Sequence, residues 1–235
     1  MKKKVVVASI IILIIAILIG VLYTNKVHST DSYKFKKEYE KLNNQKNESG
    51  KTIRKLSIPT NNPIKYSTAK EIVKKIENKE TFVVYFGFAE CPWCRSVINN
   101  LIQAAKNKNV DTVYYVDVEN IRDIKEIKDG KAKTTKKGDK YYLELLKKLD
   151  NVLADYTLTD DDNKEVKTGE KRIYAPNVVA VVNGKAEDLE SGISKKETNP
   201  YMKLTEAMNK ESTKKFECLM KCLEKSNVCT AKTSC

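Results

Sequence analysis

The sequence predicts an α/β domain in which a mixed central sheet is flanked by helices. Three observations carry that expectation. Thr81-Phe82-Val83-Val84-Tyr85-Phe86 is β-branched or aromatic throughout, so it reads as a central strand buried on both faces. After it, Val97, Ile98, Leu101, Ile102 and Ala105 recur at helical spacing. In Tyr174-Ala175-Pro176-Asn177-Val178-Val179-Ala180-Val181-Val182-Asn183-Gly184-Lys185, a proline opens a second apolar strand and Asn-Gly closes it with a hairpin turn. With about 180 residues beyond its N-terminal region, the chain suffices for one well-cored domain.

The remaining elements follow in order. Met1-Lys2-Lys3-Lys4 is basic, and residues 5–23 carry no charge. At 1.5 Å rise per residue that stretch spans roughly one hydrocarbon core of about 30 Å. A cleaved signal peptide has a shorter apolar core and an Ala-x-Ala-like site, and no cysteine follows here to carry a lipid. Residues 1–23 therefore read as an uncleaved signal anchor: a single pass through the cell membrane, lysines inside, the rest extracytoplasmic. Cleavage near Gly20 is the open alternative. Residues 24–50 are polar and Lys/Asn-rich, with Phe35, Tyr39 and Leu42 at helical spacing, and read as a stalk with one weak helix.

The domain proper is expected over 51–216. Residues 52–58 alternate and predict a first strand. Thr68 with Glu71 three residues later forms a capping box for a helix burying Ile72, Val73 and Ile76. Residues 110–118 predict the strand after the CxxC helix. An insert over about 120–172 follows, read as an elaboration of the same domain and a lid beside the active site. It holds a polar segment (128–139), an amphipathic helix with Leu143, Leu146 and Leu149, and a hairpin (155–159 with 165–168) around Asp160-Asp161-Asp162-Asn163. That acidic run lacks the spaced ligands, central glycine and terminal glutamate of a calcium loop, so it reads as a solvated turn. A final helix over 201–225 is expected to set Leu204, Ala207 and Met208 on the sheet, ahead of a Cys-rich tail over 217–235.

The chemistry concentrates at Cys91-Pro92-Trp93-Cys94, a CxxC at a strand-to-helix junction. Cys91 falls at the N-cap, where free amides and the helix dipole favour the thiolate that attacks disulfides. Pro92 suits the first helical position, having no amide proton to lose. Cys94, one turn on, is placed to resolve a mixed disulfide. Trp93 reads as an exposed aromatic contact for peptides. The competing reading is half of a zinc site, completed by Cys218 and Cys222. Zinc knuckles lie on turns with flanking Gly or polar residues, so no metal and no cofactor is expected.

These residues resemble the thioredoxin superfamily. The resemblance covers about residues 50–210. Within it, the chain is most similar to membrane-anchored thioredoxin-like proteins of Gram-positive bacteria, including bacteriocin transport accessory proteins. Tyr85-Phe86-Gly87-Phe88-Ala89-Glu90-Cys91-Pro92-Trp93-Cys94-Arg95 and Glu170-Lys171-Arg172-Ile173-Tyr174-Ala175-Pro176 carry it. Val116-Asp117-Val118-Glu119-Asn120 looks like the family's strand after the active-site helix. The resemblance implies that Pro176 is a cis-proline packed against the CxxC and that Ala175 helps set substrate preference. Read without it, a strand-opening proline is trans. Two positions depart from the family. Thioredoxins place a proton-relaying aspartate six residues before the first cysteine; here Tyr85 stands there, and a phenol with a pKa of about 10 is a poor base. Glu90 replaces the usual tryptophan, and a carboxylate there disfavours the Cys91 thiolate.

Outside the cytoplasm cysteines persist as disulfides. The six cysteines divide into the CxxC and Cys218, Cys222, Cys229 and Cys235, read as two structural bridges folding the tail onto the last helix. Three pairings are open, nested pairing among them. A second redox centre feeding Cys91–Cys94 is the sharper alternative. The net charge of +13, from 44 Lys+Arg against 31 Asp+Glu, is scattered along the chain, so no nucleic-acid partner is expected. His28, the only histidine, leaves no Cys–His nucleophile pair. The expected function is a membrane-tethered thiol–disulfide oxidoreductase acting on exported proteins or peptides, with an unidentified membrane redox partner. The alternative is a non-catalytic accessory or chaperone module in a peptide-export complex.

Overall fold

The computed structural model describes residues 26–224 together with Ile15. The chain runs through α1 (Asp31–Glu40), β1 (Ile64–Tyr66), α2 (Ala69–Glu77), β2 (Phe82–Gly87), α3 (Pro92–Asn107) and β3 (Val113–Asp117). It continues through β4 (Ile124–Lys128), β5 (Lys131–Lys136), α4 (Lys140–Lys148), β6 (Ala154–Thr159) and β7 (Glu165–Arg172). It closes with β8 (Asn177–Val182), β9 (Lys185–Glu190), α5 (Glu206–Met220) and a 3-10 turn over Lys221–Glu224. Five strands form one mixed sheet in the order β1-β3-β2-β8-β9. The pairs β1–β3 and β3–β2 are parallel; β2–β8 and β8–β9 are antiparallel. Asn183 and Gly184 both take positive φ, as a tight turn between β8 and β9 requires.

β2 lies at the centre because each of its residues is buried. Its alternation feeds two cores. Val83 and Tyr85 face a layer built by α1, α3 and α5, with Phe35, Tyr39, Val97, Ile98, Leu101, Phe216 and Leu219. Phe82, Val84 and Phe86 face a layer built by α2 and α4, with Ile72, Val73, Ile76, Tyr142, Leu145 and Leu149. The capping box of α2 is complete, Thr68 accepting from the Glu71 amide and Glu71 accepting from the Thr68 amide.

Five expectations are corrected. Residues 31–40 form the helix expected there, but it is no part of a polar stalk: its Phe35 and Tyr39 are wholly buried in the core. Residues 52–58 make no sheet strand: Leu56 and Ile58 are buried as their alternation implies, but their amides donate to Asn43 and Glu40 side chains instead of a neighbouring strand. The polar segment 128–139 is largely the β4–β5 hairpin. The last helix packs mainly on α3 rather than on the sheet, through Met208, Ser212, Phe216, Leu219 and Met220, while Ala207 is exposed. The insert's helix likewise buries Tyr142 and Leu145 and leaves Leu143 exposed. Among the described residues no helix is long and apolar enough to cross a membrane. Nearly all of the segment read as a signal anchor lies outside the described residues.

Candidate active site

β2 runs into α3 across Gly87–Glu90, and the turn begins on a position that only glycine fits. A Cβ on Gly87 would stand 2.2 Å from the Tyr85 hydroxyl, so the strand end closes down directly over that phenol. Cys91 is the N-cap of α3, and its sulfur accepts the Cys94 amide proton at 3.1 Å. Pro92 opens the helix, where no donor is missed. The Ala175–Pro176 bond is cis. The Cys91 Sγ donates to the Ala175 carbonyl at 3.4 Å. Cys91 is 3% exposed and Cys94 wholly buried, and both are free thiols. Phe88, Trp93 and Ala175 are partly buried and form an apolar rim. Glu90 beside them is exposed.

The two thiols sit in opposite environments. A hydrogen bond from the Cys94 side chain, the backbone amides of Cys94 and Trp93, and the charge of Arg122 together hold the Cys91 thiol below its ordinary pKa, against the opposing effect of burial. Burial pushes the Cys94 thiol well above its ordinary value, and the neighbouring Cys91 sulfur adds to that. One sulfur is prepared to lose its proton and the other to keep it.

Arg122 comes from the insert. It is half-buried, with its guanidinium over the Phe88 ring at 5.2 Å. The segment carrying it is pinned behind the site by the buried Asp123, which lies 3.3 Å from Arg172 and 3.9 Å from Lys125. The β6–β7 hairpin is tied to the cis-proline loop by Tyr174, whose hydroxyl donates to the Asp155 carbonyl and accepts from the Thr157 amide.

A second arginine is structural. Arg95, only 2% exposed, donates to the carbonyls of Arg54 (2.7 and 3.0 Å), Tyr39 (2.9 Å) and Ala89 (3.1 Å) and to Asn43 Oδ1 (3.1 Å). It staples α1 and the 43–54 segment to the first turn of α3. The Tyr85 hydroxyl, fully buried, meets the Tyr39 hydroxyl at 2.9 Å.

Of the residues marked from sequence, the fold brings together Cys91, Pro92, Trp93, Cys94, Ala175 and Pro176. Cys218 on α5 and Cys222 in the 3-10 turn are disulfide-bonded, so neither is free to complete a zinc site with the CxxC. Cys229 and Cys235, and with them the pairing, lie outside the described residues. No group of three or more His, Cys, Asp or Glu placed to hold a metal occurs among the described residues. Sequence reasoning missed Arg95, Arg122 and Tyr39. Arg95 gave a faint signal, an arginine set between Cys94 and Val97 on the apolar face of the helix; Arg122 gave none. The chain matches no family model and no curated protein.

Proposed function

We propose that the chain is a thioredoxin-like thiol–disulfide oxidoreductase, tethered at the membrane, that acts on exported proteins or peptides. The observation that carries the reading is the pair of thiols one helical turn apart, the first activated at a helix N-terminus and the second held protonated beneath it. The Cys91 thiolate attacks a client disulfide, forms a bond to one sulfur and releases the other as a thiolate. Cys94 then attacks Cys91 of the mixed disulfide, closes the Cys91–Cys94 bond and releases the second client thiolate. The client gains two electrons and the CxxC loses two. Run backwards, the same steps oxidise a client dithiol. Phe88, Trp93 and Ala175 offer an extended peptide an apolar rim beside the sulfur. A membrane partner that resets the Cys91–Cys94 couple completes the cycle.

The test is a pair of variants. Cys91→Ser abolishes reduction of a test disulfide, a loss of at least about a thousandfold given the nucleophile's role. Cys94→Ser accumulates mixed disulfides with clients, visible on non-reducing gels and resolved by thiol. A Cys91→Ser protein with full cellular activity would instead favour the accessory or chaperone reading.

A further inference from the structure

The insert sets one cation beside the nucleophile and gives it no counter-ion. β3 ends next to the loop before α3. The Val118 amide donates to the Gly87 carbonyl at 3.2 Å, and the Arg122 amide donates to the Val118 carbonyl at 3.3 Å. Across that loop the Cys91 amide donates to the Phe88 carbonyl at 3.3 Å, and the Arg122 guanidinium lies over the Phe88 ring at 5.2 Å. Phe88 thus joins Arg122 to the residue that carries the attacking sulfur. The segment is also held from behind. The Asp139 amide donates to the Ile121 carbonyl at 2.8 Å, and Arg172 donates to the carbonyl and the carboxylate of Asp123, each at 3.3 Å. The buried carboxylate next in sequence therefore serves Arg172 and not Arg122.

Among the described residues the Arg122 side chain makes no hydrogen bond and no ion pair. Its Nε is buried without a partner, while its terminal nitrogens keep access to solvent. Desolvating a guanidinium is costly, and a carboxylate held on its planar fork is the partner that offsets the cost best. The acidic groups nearby do not take that place. Asp117 and Glu119 stay beyond ion-pair distance, Asp117 Oδ1 accepting the Glu119 amide at 2.8 Å, and Glu90 is exposed.

We infer that Arg122 is a carboxylate-recognition residue, so that the preferred clients are disulfides carrying a carboxylate close to the attacked sulfur. The inference rests on the oxidoreductase reading above and names its substrate class. The carboxylate belongs to an aspartate or glutamate beside the client cysteine, or to the client's own C-terminus. It lies against the open terminal nitrogens of Arg122 while the client sulfur meets Cys91 beside the Phe88 rim. The Cys91 thiolate bonds one client sulfur, the client S–S bond breaks, and the other sulfur leaves as a thiolate. The carboxylate keeps its charge throughout. Glu90, Asp117 and Glu119 oppose an approaching anion, so the preference is for a carboxylate seated at Arg122 and not for negative charge in general.

Three small symmetric disulfides separate recognition from reactivity. 3,3′-Dithiodipropionate carries two carboxylates, bis(2-hydroxyethyl) disulfide carries no charge, and cystamine carries two ammonium groups. Full-length reduced protein in non-ionic detergent is mixed at pH 7 with each in excess. The reaction is quenched with acid, and loss of the Cys91 thiol is followed by peptide mass. Each rate constant is divided by that of dithiothreitol with the same disulfide, which removes differences in intrinsic reactivity. The Arg122 charge also acts on the Cys91 thiolate, but that effect is common to all three disulfides and cancels in their ratios.

The corrected rate with 3,3′-dithiodipropionate is expected to exceed that with the neutral disulfide by about tenfold, the worth of one charge-assisted contact, with cystamine slowest. Arg122→Gln should bring the anionic-to-neutral ratio to about one or below, and Arg122→Lys should keep part of the preference. Circular dichroism and urea midpoints establish that each variant is folded. Two peptide disulfides then tell the sources apart, one with an aspartate beside the cysteine and an amidated end, the other with a free C-terminal cysteine. Faster reaction of either than of a neutral peptide, lost in Arg122→Gln, identifies the source; faster reaction of neither overturns the proposal. A ratio of one or less in the unaltered protein, or a ratio that survives in folded Arg122→Gln, also overturns the carboxylate site and leaves the oxidoreductase reading standing. Reaction of Cys91 with all three disulfides no faster than an ordinary thiol overturns that reading, and the carboxylate site with it.

Discussion

The two faces of the sheet each bury an apolar cluster, but they are built on different plans. The α2/α4 side is a plain core: Val84, Phe86, Ile72, Val73, Leu145, Val179 and Val181 fill it. The α1/α3/α5 side mixes its aliphatic residues with both thiols of the CxxC, Tyr39, Tyr85 and Tyr115, and the Arg95 guanidinium lies against it. The same strand supplies both, Phe82, Val84 and Phe86 one way and Val83 and Tyr85 the other. Burying polar groups is unfavourable unless each finds a partner, so the α1/α3/α5 face is constrained at its polar atoms, whereas the other, apart from the Tyr142 hydroxyl, is constrained mainly by volume. The difference shows where the chemistry is housed. Both faces stabilise the fold, and the α1/α3/α5 face also holds two sulfurs in unlike states.

The largest expected effect follows from Arg95. Arg95→Met removes the donor that the carbonyls of Tyr39, Arg54 and Ala89 share, leaving buried acceptors unpaired and freeing α1 from α3. A loss of about 3 kcal/mol is expected from the urea midpoint. Arg95→Lys should recover little, because a single ammonium cannot reach acceptors spread around a planar fork. On the plain face, Val84→Ala should cost about 2 kcal/mol as a cavity yet leave the alkylation rate of Cys91 unchanged. A Val84→Ala protein with altered thiol kinetics would break the contrast between the faces. The smallest effect comes from the insert. Arg122→Gln removes a positive charge that favours the Cys91 thiolate, so its alkylation at pH 7 should slow about threefold, and the pH midpoint should move up.

What was legible in the sequence follows from the range over which each signal acts. β2, α3, the capping box at Thr68 and the Asn183-Gly184 turn are written in neighbouring residues, and they lie where expected. Burial of Leu56 and Ile58 was legible too, from alternation alone; their backbone partners were not, because Asn43 and Glu40 reach them from another segment. The docking of α1 left only three apolar positions among lysines and asparagines, and it depends on an arginine more than fifty residues away. Tyr85 could be read as a poor base in isolation. That its hydroxyl leads to Tyr39 is a fact of tertiary packing, which no local pattern encodes. Arg122 belongs to the same class: its charge matters only because β3 ends beside α3.

The account stands on the unlike states of two sulfurs one helical turn apart. Iodoacetamide labelling of the reduced protein across pH, with each cysteine quantified by peptide mass, tests it most directly. The expected result is that Cys91 labels with a midpoint below the ordinary thiol value of about 8.5, while Cys94 stays unlabelled over the same range. Labelling of Cys91 only at or above that value, or of both cysteines together, would contradict the account.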